Sequence, residues 1–186
     1  MQEIFQNTIN QVIAFKGVGL HSGQISKVRL VPGVEDQGIV FKRTDLKENN
    51  IIKANYKNVS SAKLCTTLEN SSGFKVSTVE HLLAAFYIKG IDNVTVEIDN
   101  EEVPIMDGSS KDFIQILDKA GTKKFNRKRK FIKITNKIEL EDNGRKISIE
   151  PNGLSFEVDF QLNYSNEIIG KQKNIVNFQK DDLKDV

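Results

Sequence analysis

The sequence contains no tryptophan, one cysteine, two histidines and no long apolar run, and these scarcities exclude several classes of protein. The single cysteine, Cys65, cannot form an internal disulfide, which excludes a disulfide-stabilised secreted domain and favours a reducing cytoplasm. No segment approaches the roughly 20 consecutive apolar residues of a membrane-spanning helix. The N-terminus also lacks the basic and then apolar pattern of a secretory signal. We therefore expect a cytoplasmic protein without a transmembrane segment.

Charge gives little indication of a partner. The formal net charge is +2 over 186 residues, which is too small to favour nucleic acid or an anionic membrane. The basic run 123–130 is the exception, because clustered lysine and arginine can neutralise phosphates. It contains one aromatic residue, Phe125, and hence no platform for base stacking. A solvated linker is the favoured interpretation of this run, and no nucleic-acid partner is expected.

Patterns of alternation and helical periodicity predict an α+β fold. Apolar stripes followed by a glycine predict two helices, over 78–88 and 110–119. Alternating apolar and polar residues predict strands on both sides of the first helix. Strands outnumber helices, which indicates a two-layer sandwich of a mainly antiparallel sheet with helices on one face. The predicted strands of this part are residues 27–31, 38–42 and 93–98.

The sequence after the basic run predicts a second, incomplete domain. Strand-like alternation resumes at 131–134, 137–141, 146–149 and 155–160, and the Asp-Asn-Gly turn at 142–144 indicates a hairpin. We place the domain boundary near residue 126, which gives domains 1–126 and 127–186. Four strands without a complete helix would bury too little surface to be stable alone. The second domain is therefore predicted to be an incomplete copy of the same α+β type.

The adjacent pair Glu80 and His81 is the strongest indication of chemistry. Ser77 and Glu80 match the capping-box pattern, in which each side chain bonds the other residue's backbone N–H, so a purely structural role is possible. Alternatively, His81 binds Zn²⁺ and Glu80 acts as a general base on water. The pair does not form a His-Glu-x-x-His motif, because Ala84 and Ala85 follow. The pair alone leaves both interpretations open.

A catalytic zinc site needs about three protein ligands, and no local pattern supplies them. His21, Cys65 and His81 are candidates, but no two stand at a recognised spacing. Such a site would be assembled from distant segments or would use ligands outside this chain. His21 lies in the glycine-rich segment 17–23, which predicts a tight turn or a close approach to a ligand. Ser22 breaks the dinucleotide-binding fingerprint there.

Six short motifs, in their order and spacing, resemble one enzyme family. Together they resemble the UDP-3-O-acyl-N-acetylglucosamine deacetylases, zinc hydrolases of the first committed step of lipid A synthesis in Gram-negative bacteria. The resemblance is specific across 15–121 and weaker after about 126. The motifs are residues 17–23, 41–46, 64–67, 76–82, 90–93 and 103–109.

This resemblance implies two similar sandwich domains with zinc between them. It implies that His81 is a zinc ligand and Glu80 the general base. Lys63, Leu64 and Cys65 match a wall of the active-site region, and His21 lies in a segment near it, so these four residues are expected to contact the substrate. The remaining zinc ligands, a histidine and an aspartate on one later helix, are expected beyond residue 186, as is a histidine general acid.

The expected function is zinc-dependent removal of the N-acetyl group from a UDP-3-O-acyl-N-acetylglucosamine by a monomeric enzyme. One histidine cannot hold a catalytic zinc, so this chain is expected to be the N-terminal, catalytically incomplete part of such an enzyme. Two alternatives remain. One is a non-catalytic fragment without a bound metal, and the other is a binding module built on residues 123–130.

Overall fold

The computed structural model describes residues 4–153 and 155–178, which form two compact units. The first unit extends to Arg129 and the second begins at Lys130. The predicted boundary at 126 remains a prediction, and residues 1–3, 154 and 179–186 of the two predicted domains lie outside the described residues. Neither helix among the described residues is long and apolar enough to cross a membrane.

The first unit contains ten strands, two α-helices and a short 3₁₀ turn at Tyr56–Asn58 among the described residues. In chain order the elements are β1 (Phe5–Ile9), β2 (Ile13–Val18), β3 (Ile25–Pro32), β4 (Ile39–Arg43), β5 (Ile51–Lys53), β6 (Val59–Ser61), β7 (Thr67–Glu69), β8 (Lys75–Val76), α1 (Glu80–Ile88), β9 (Val94–Ile98), α2 (Lys111–Ala120) and β10 (Thr122–Lys128).

The main sheet has five strands in the spatial order β2, β3, β9, β4, β5. All neighbouring strands are antiparallel except β4 and β9, which run parallel with Ile39 opposite Val94. Strands β6, β7 and β8 form a second antiparallel sheet, and β1 pairs with β10. The structure therefore confirms the predicted α+β class with mostly antiparallel pairing.

The core lies between one face of the main sheet and the two helices. In β3 the buried Val28 and Leu30 alternate with exposed neighbours, as expected for a sheet with one covered face. The Phe15 ring of β2 meets the Phe113 ring of α2 edge to face, with centroids 5.6 Å apart. The helices contribute further fully buried side chains, among them Leu82, Ala85, Phe86 and Leu117.

The predicted linker at 123–130 is wrong, because most of it is strand β10. This strand pairs antiparallel with β1, with Thr122 opposite Ile9. Lys124 lies over the ring of Phe5, 4.3 Å from its centroid, and Arg127 pairs with Asp36 at 2.7 Å. This strand is stabilised by backbone pairing and by contacts of its lysine and arginine side chains. It therefore does not need alternating apolar residues, and the sequence shows none.

The described part of the second unit consists of two hairpins, formed by the four strands β11 (Ile138–Asp142), β12 (Arg145–Ile149), β13 (Glu157–Asn163) and β14 (Lys171–Asn177). The predicted hairpin turn is confirmed, since Asn143 and Gly144 both have positive φ, as a two-residue type I′ turn requires. The predicted strand at 131–134 is wrong, because these residues form no regular element. No helix occurs among the described residues of this unit, and the incomplete second domain of the same α+β type remains a prediction.

Candidate active site

The turn that leads into α1 has a strained backbone. Thr78 has φ +56°, in the left-handed region, which is unusual for a β-branched residue. Such a conformation costs on the order of 1–3 kcal/mol and persists only where the surroundings hold it. Thr78 stands two residues before Glu80, the first residue of α1. The backbone that presents Glu80 and His81 is thus held in a disfavoured shape.

The predicted capping box is wrong. Val79 is the N-cap of α1 and makes no side-chain capping bond, so Ser77 stands two residues too early to cap the helix. The Ser77 hydroxyl donates instead to the Glu101 carbonyl, 3.2 Å away. The Glu80 carboxylate turns away from Ser77 and accepts from the Thr66 amide. The left-handed turn at Thr78 separates the two halves of the pattern, and sequence spacing alone does not reveal that turn.

Glu80 is half-buried and is held by one of its two oxygens. Oε2 accepts a hydrogen bond from the backbone N–H of Thr66 at 3.0 Å. Within residues 4–153 and 155–178, Oε1 has no hydrogen-bond partner. A carboxylate fixed at one oxygen and open at the other can accept a proton from a molecule that binds beside it.

His81 is also half-buried, and its imidazole makes no hydrogen bond to any residue that the structure describes. Its backbone carbonyl accepts from the Ser110 hydroxyl at 3.0 Å, which ties the first turn of α1 to the start of α2. A ring whose nitrogens have no protein partner can bind a ligand or a metal. The backbone beneath the ring is fixed by this contact between the two helices.

The described residues do not form a complete catalytic zinc site. No group of three or more His, Cys, Asp or Glu side chains with metal-binding geometry occurs among them. His81 and Glu80 are two adjacent residues of the candidate types, whereas catalytic zinc uses about three protein ligands. The residues described here therefore fit at most a part of a zinc site.

The segment with Lys63, Leu64 and Cys65 lies next to Glu80, because the following residue, Thr66, donates to its carboxylate. Lys63 and Leu64 are exposed, and Leu64 has φ +69°, a second strained position near Glu80. Cys65 is half-buried, with its sulfur 3.8 Å from the Thr67 hydroxyl. The structure thus joins these predicted residues to Glu80 through a backbone contact.

His21 lies in the glycine-rich loop between β2 and β3, and its side chain is exposed. The loop is closed by a bond from the Gly19 amide to the Gln24 carbonyl at 2.9 Å. A Cβ added at Gly19 would lie 2.4 Å from a carboxylate oxygen of Glu102, so any other residue there would displace the Glu102 carboxylate from its present position. The loop is thus a tight turn, the first of the two predicted alternatives, and a close approach to a ligand remains a prediction.

Glu102 is the residue at this site that the sequence analysis did not predict. Its side chain is 2% exposed, whereas that of the neighbouring Glu101 is 66% exposed. Burial by itself would raise the pKa of Glu102. Hydrogen bonds from the Ser22 hydroxyl, the His21 and Ser22 amides and the Thr78 hydroxyl outweigh it and lower the pKa to about 2. Two adjacent glutamates before Val103 give no sequence signal that one of them is buried.

The comparison with known proteins covers almost the whole chain. The profile of the UDP-3-O-acyl N-acetylglycosamine deacetylase family matches residues 6–185. A UDP-3-O-acyl-N-acetylglucosamine deacetylase of Nautilia profundicola is 42% identical over 93% of this chain and 58% of its own length. Those of Aliivibrio fischeri and Solibacter usitatus are 38% and 44% identical, over 98% and 79% of this chain.

The match covers most of this chain but only part of each relative. The chain spans 61% of the Aliivibrio protein and 49% of the Solibacter protein. Less than two thirds of each of these curated relatives is therefore represented here. Because the family profile matches far more than half of this chain, the chain belongs to the UDP-3-O-acyl N-acetylglycosamine deacetylase family.

Proposed function

We propose that the full-length protein containing this chain is a zinc-dependent hydrolase that removes the N-acetyl group from a UDP-3-O-acyl-N-acetylglucosamine in lipid A biosynthesis. The observation that carries this proposal is the family match over residues 6–185. It is supported by relatives of the same name at 38–44% identity. The products would be acetate and a UDP-sugar with a free 2-amino group.

In this proposal Glu80 is the general base. Amide hydrolysis needs a water oxygen to attack the acetamide carbonyl while a base takes a proton from that water. Glu80 Oε1 would accept this proton while the Thr66 amide holds Oε2, 3.0 Å away. An acid outside the described residues would give a proton to the nitrogen as its bond to the acetyl carbon breaks. Glu80 would then release the proton taken from water to solvent, which closes the proton balance.

His81 is proposed as one zinc ligand, because its ring has no partner among the described residues and lies next to Glu80 in the chain. The other ligands are expected in the part of the family's length that this chain does not span. The 186-residue polypeptide alone is then expected to bind zinc weakly and to lack activity. Metal analysis after dialysis tests this, and one equivalent of tightly held zinc in the isolated polypeptide would contradict it.

Lys63, Leu64, Cys65 and His21 are proposed to line the substrate site. Support comes from the Thr66 contact to Glu80 and from the exposure of Lys63, Leu64 and His21. Exposed Leu64 offers an apolar contact and Lys63 and His21 offer polar ones. We also propose that the enzyme acts as a monomer in the cytoplasm, where Cys65 stays reduced.

The direct test of the proposed activity is acetate release from a UDP-3-O-acyl-N-acetylglucosamine by the full-length protein. We expect turnover with zinc, loss of turnover after chelation and recovery when zinc is restored. Failure of the zinc-loaded protein to release acetate would overturn the proposal.

Nucleic-acid binding through 123–130 is a weaker candidate. Arg127 and Arg129 form ion pairs with Asp36 and Asp92, and Lys124 lies over Phe5. Cations that are engaged within the fold must break these contacts before they can bind phosphates. Salt-sensitive binding of DNA or RNA by the full-length protein would be needed to support this candidate.

A further inference from the structure

Glu102 joins two segments that are far apart in the sequence. Its Oε1 accepts from the His21 amide at 2.9 Å and from the Thr78 hydroxyl at 2.9 Å, and its Oε2 accepts from the Ser22 amide at 2.7 Å. One donor segment is the loop that carries His21. The other is the turn that leads into Glu80 and His81. A single buried carboxylate therefore satisfies donors from both segments at once.

The loop is shaped around this carboxylate. Gly19 is buried, and a Cβ there would lie 2.4 Å from Glu102 Oε2 and equally close to the Ser22 hydroxyl oxygen. The Gly23 amide donates back to the Gly19 carbonyl at 3.0 Å, which folds the loop tightly. The position of His21 thus depends on the carboxylate that the loop encloses.

The same carboxylate holds the strained turn. Glu102 bonds the hydroxyl of Thr78, the residue with φ +56°. The backbone on each side of Glu102 also pairs with Ser77, through Ser77 N to Glu101 O at 2.8 Å and Val103 N to Ser77 O at 3.1 Å. These contacts fix the backbone immediately before Thr78. They supply the local support that a left-handed β-branched residue requires.

We propose that Glu102 is a positioning residue for the hydrolytic site, which holds the His21 loop and the start of α1 in one fixed relation. This inference rests on the proposed function, because it takes Glu80 and His81 as the reacting pair. Glu102 acts through Thr78 and the loop backbone and does not itself touch the substrate. Loss of its carboxylate would let the turn at Thr78 relax and shift Glu80 from its place beside the reacting water, which lowers turnover.

The test uses the full-length, zinc-loaded protein with Glu102→Gln. The amide retains the size of the side chain, but its NH₂ group replaces one of the two accepting oxygens, so either the bond from the Ser22 amide or the bonds from the His21 amide and the Thr78 hydroxyl are lost. We expect kcat to fall about 10- to 100-fold with little change in KM, measured at least 20 °C below the melting temperature. Wild-type kcat in the folded variant would overturn the inference.

Control substitutions that destabilise the fold to a similar degree distinguish a positioning role of Glu102 from a purely stabilising one. Ile52 is fully buried in β5 and belongs neither to the loop nor to the turn. Ile52→Val and Ile52→Ala are expected to lower the melting temperature but to keep wild-type kcat under the same conditions. If kcat in these variants fell in proportion to stability, and Glu102→Gln lay on the same line, Glu102 would be merely structural and the inference would fail.

A second pair of variants decides the question if Glu102→Gln does not fold. Thr78→Val removes the hydroxyl that bonds Glu102 and preserves the shape of the side chain, whereas Thr78→Ser keeps the hydroxyl. We expect kcat to fall about tenfold in Thr78→Val and to recover in Thr78→Ser. Equal, wild-type kcat in both variants would overturn the inference. If the wild-type protein itself releases no acetate, the proposed function fails first, which is a distinguishable outcome.

Discussion

At the scale of single residues, two carboxylates close to the start of α1 have contrasting environments. Glu102 is 2% exposed and both of its oxygens accept hydrogen bonds. Glu80 is half-buried, with a single bond to Thr66 among the described residues. A carboxylate saturated with donors remains ionised and holds structure, whereas one with an open oxygen can exchange a proton. This contrast supports assigning the chemistry to Glu80 and the positioning to Glu102.

Glu102 is expected to make stability depend on acid pH. Its pKa is lowered from an ordinary 4.5 to about 2 in the folded protein. A group with a depressed folded pKa stabilises the fold above its unfolded pKa, and that stabilisation is lost as pH falls from about 4.5 toward 2. A shift of this size corresponds to at most about 3 kcal/mol.

Urea unfolding of the full-length wild type and Glu102→Gln between pH 6 and pH 3 tests this dependence. The free energy of unfolding of the wild type should exceed that of the variant most at pH 6, and the difference should shrink toward pH 3. A difference that stays constant over this range would contradict the expectation.

Arg43 is a second buried charge with a specific geometry. Its side chain is 4% exposed, and its guanidinium bonds both oxygens of Asp45, at 2.8 and 2.6 Å, and the Lys75 carbonyl at 2.7 Å. A lysine cannot reproduce this planar fork. We expect Arg43→Lys to lower the free energy of unfolding by about 1–3 kcal/mol.

Lys42→Arg is the matched control for this substitution, because Lys42 is the adjacent residue and its side chain is 41% exposed. Its effect should lie within about 0.5 kcal/mol of zero. Thermal or urea unfolding measures the free energy of unfolding of both variants. Equal decreases would show that the bidentate contact of Arg43 with Asp45 contributes nothing specific.

At the scale of elements, local signals predicted the two helices, the hairpin at 142–144 and the strands at 27–31, 38–42 and 93–98, which occur as β3, β4 and β9. Contacts between distant segments decided other elements, such as β10. The helices predicted over 78–88 and 110–119 occur as Glu80–Ile88 and Lys111–Ala120. Their apolar stripes and following glycines act within a few residues, so sequence reveals them. Strand β10 depends on pairing with β1, over 100 residues earlier, and its basic side chains hide that role.

At the candidate site, too, local sequence signals indicate some residues, whereas contacts between distant segments determine others. The Glu80–His81 pair stands out in the sequence because histidine is rare here, whereas Glu102 does not stand out from Glu101. Long-range contacts distinguish the two glutamates, among them the parallel bridge between Ser77 and Glu102 and the bonds from the loop that carries His21. The left-handed turn at Thr78 is likewise imposed by contacts with the Glu101–Val103 segment, so no local pattern separates it from a capping box.

Arg129, which follows the end of β10, allows a test of what stabilises the pairing of β1 with β10. Arg129 donates to the Gly90 carbonyl at 2.7 Å and to Asp92 at 2.8 Å, and Asp92 also accepts from the Asn7 amide in β1 at 2.7 Å. We expect Arg129→Gln to lower the hydrogen-exchange protection of the β1 and β10 amides but not that of β3.

Arg127→Gln is the control for Arg129→Gln, because Arg127 is more exposed and pairs only with Asp36 in the contacts described above. It should leave the protection of β1 and β10 nearly unchanged. Equal hydrogen-exchange protection of the β1 and β10 amides in the wild type, Arg129→Gln and Arg127→Gln would contradict the expectation that Arg129 stabilises this pair of strands.

At the scale of the whole molecule, the two units differ in how well they bury apolar surface. The first unit has a contiguous core of fully buried residues between its sheet and helices. In the second unit most apolar residues of the hairpins remain exposed, including Leu140, Ile147, Phe160 and Ile175. Exposed faces of this kind need a covering layer, which supports the proposal that the second domain is incomplete in this chain.

Limited proteolysis tests that proposal. In the isolated 186-residue polypeptide we expect the first cuts within 130–178, with the first unit persisting as a resistant fragment. In the full-length protein the same region should resist cleavage under identical conditions. First cuts within the main sheet of the shorter polypeptide would contradict the proposal.

The most direct measurement is the turnover of full-length Glu80→Gln, assayed as acetate release with zinc content determined on the same sample. We expect a loss of at least about 100-fold in kcat with zinc retained, because the amide cannot take the proton from water. Glu48→Gln, at an exposed loop position, should retain wild-type turnover. Full turnover in Glu80→Gln would contradict the assignment of Glu80 as the base.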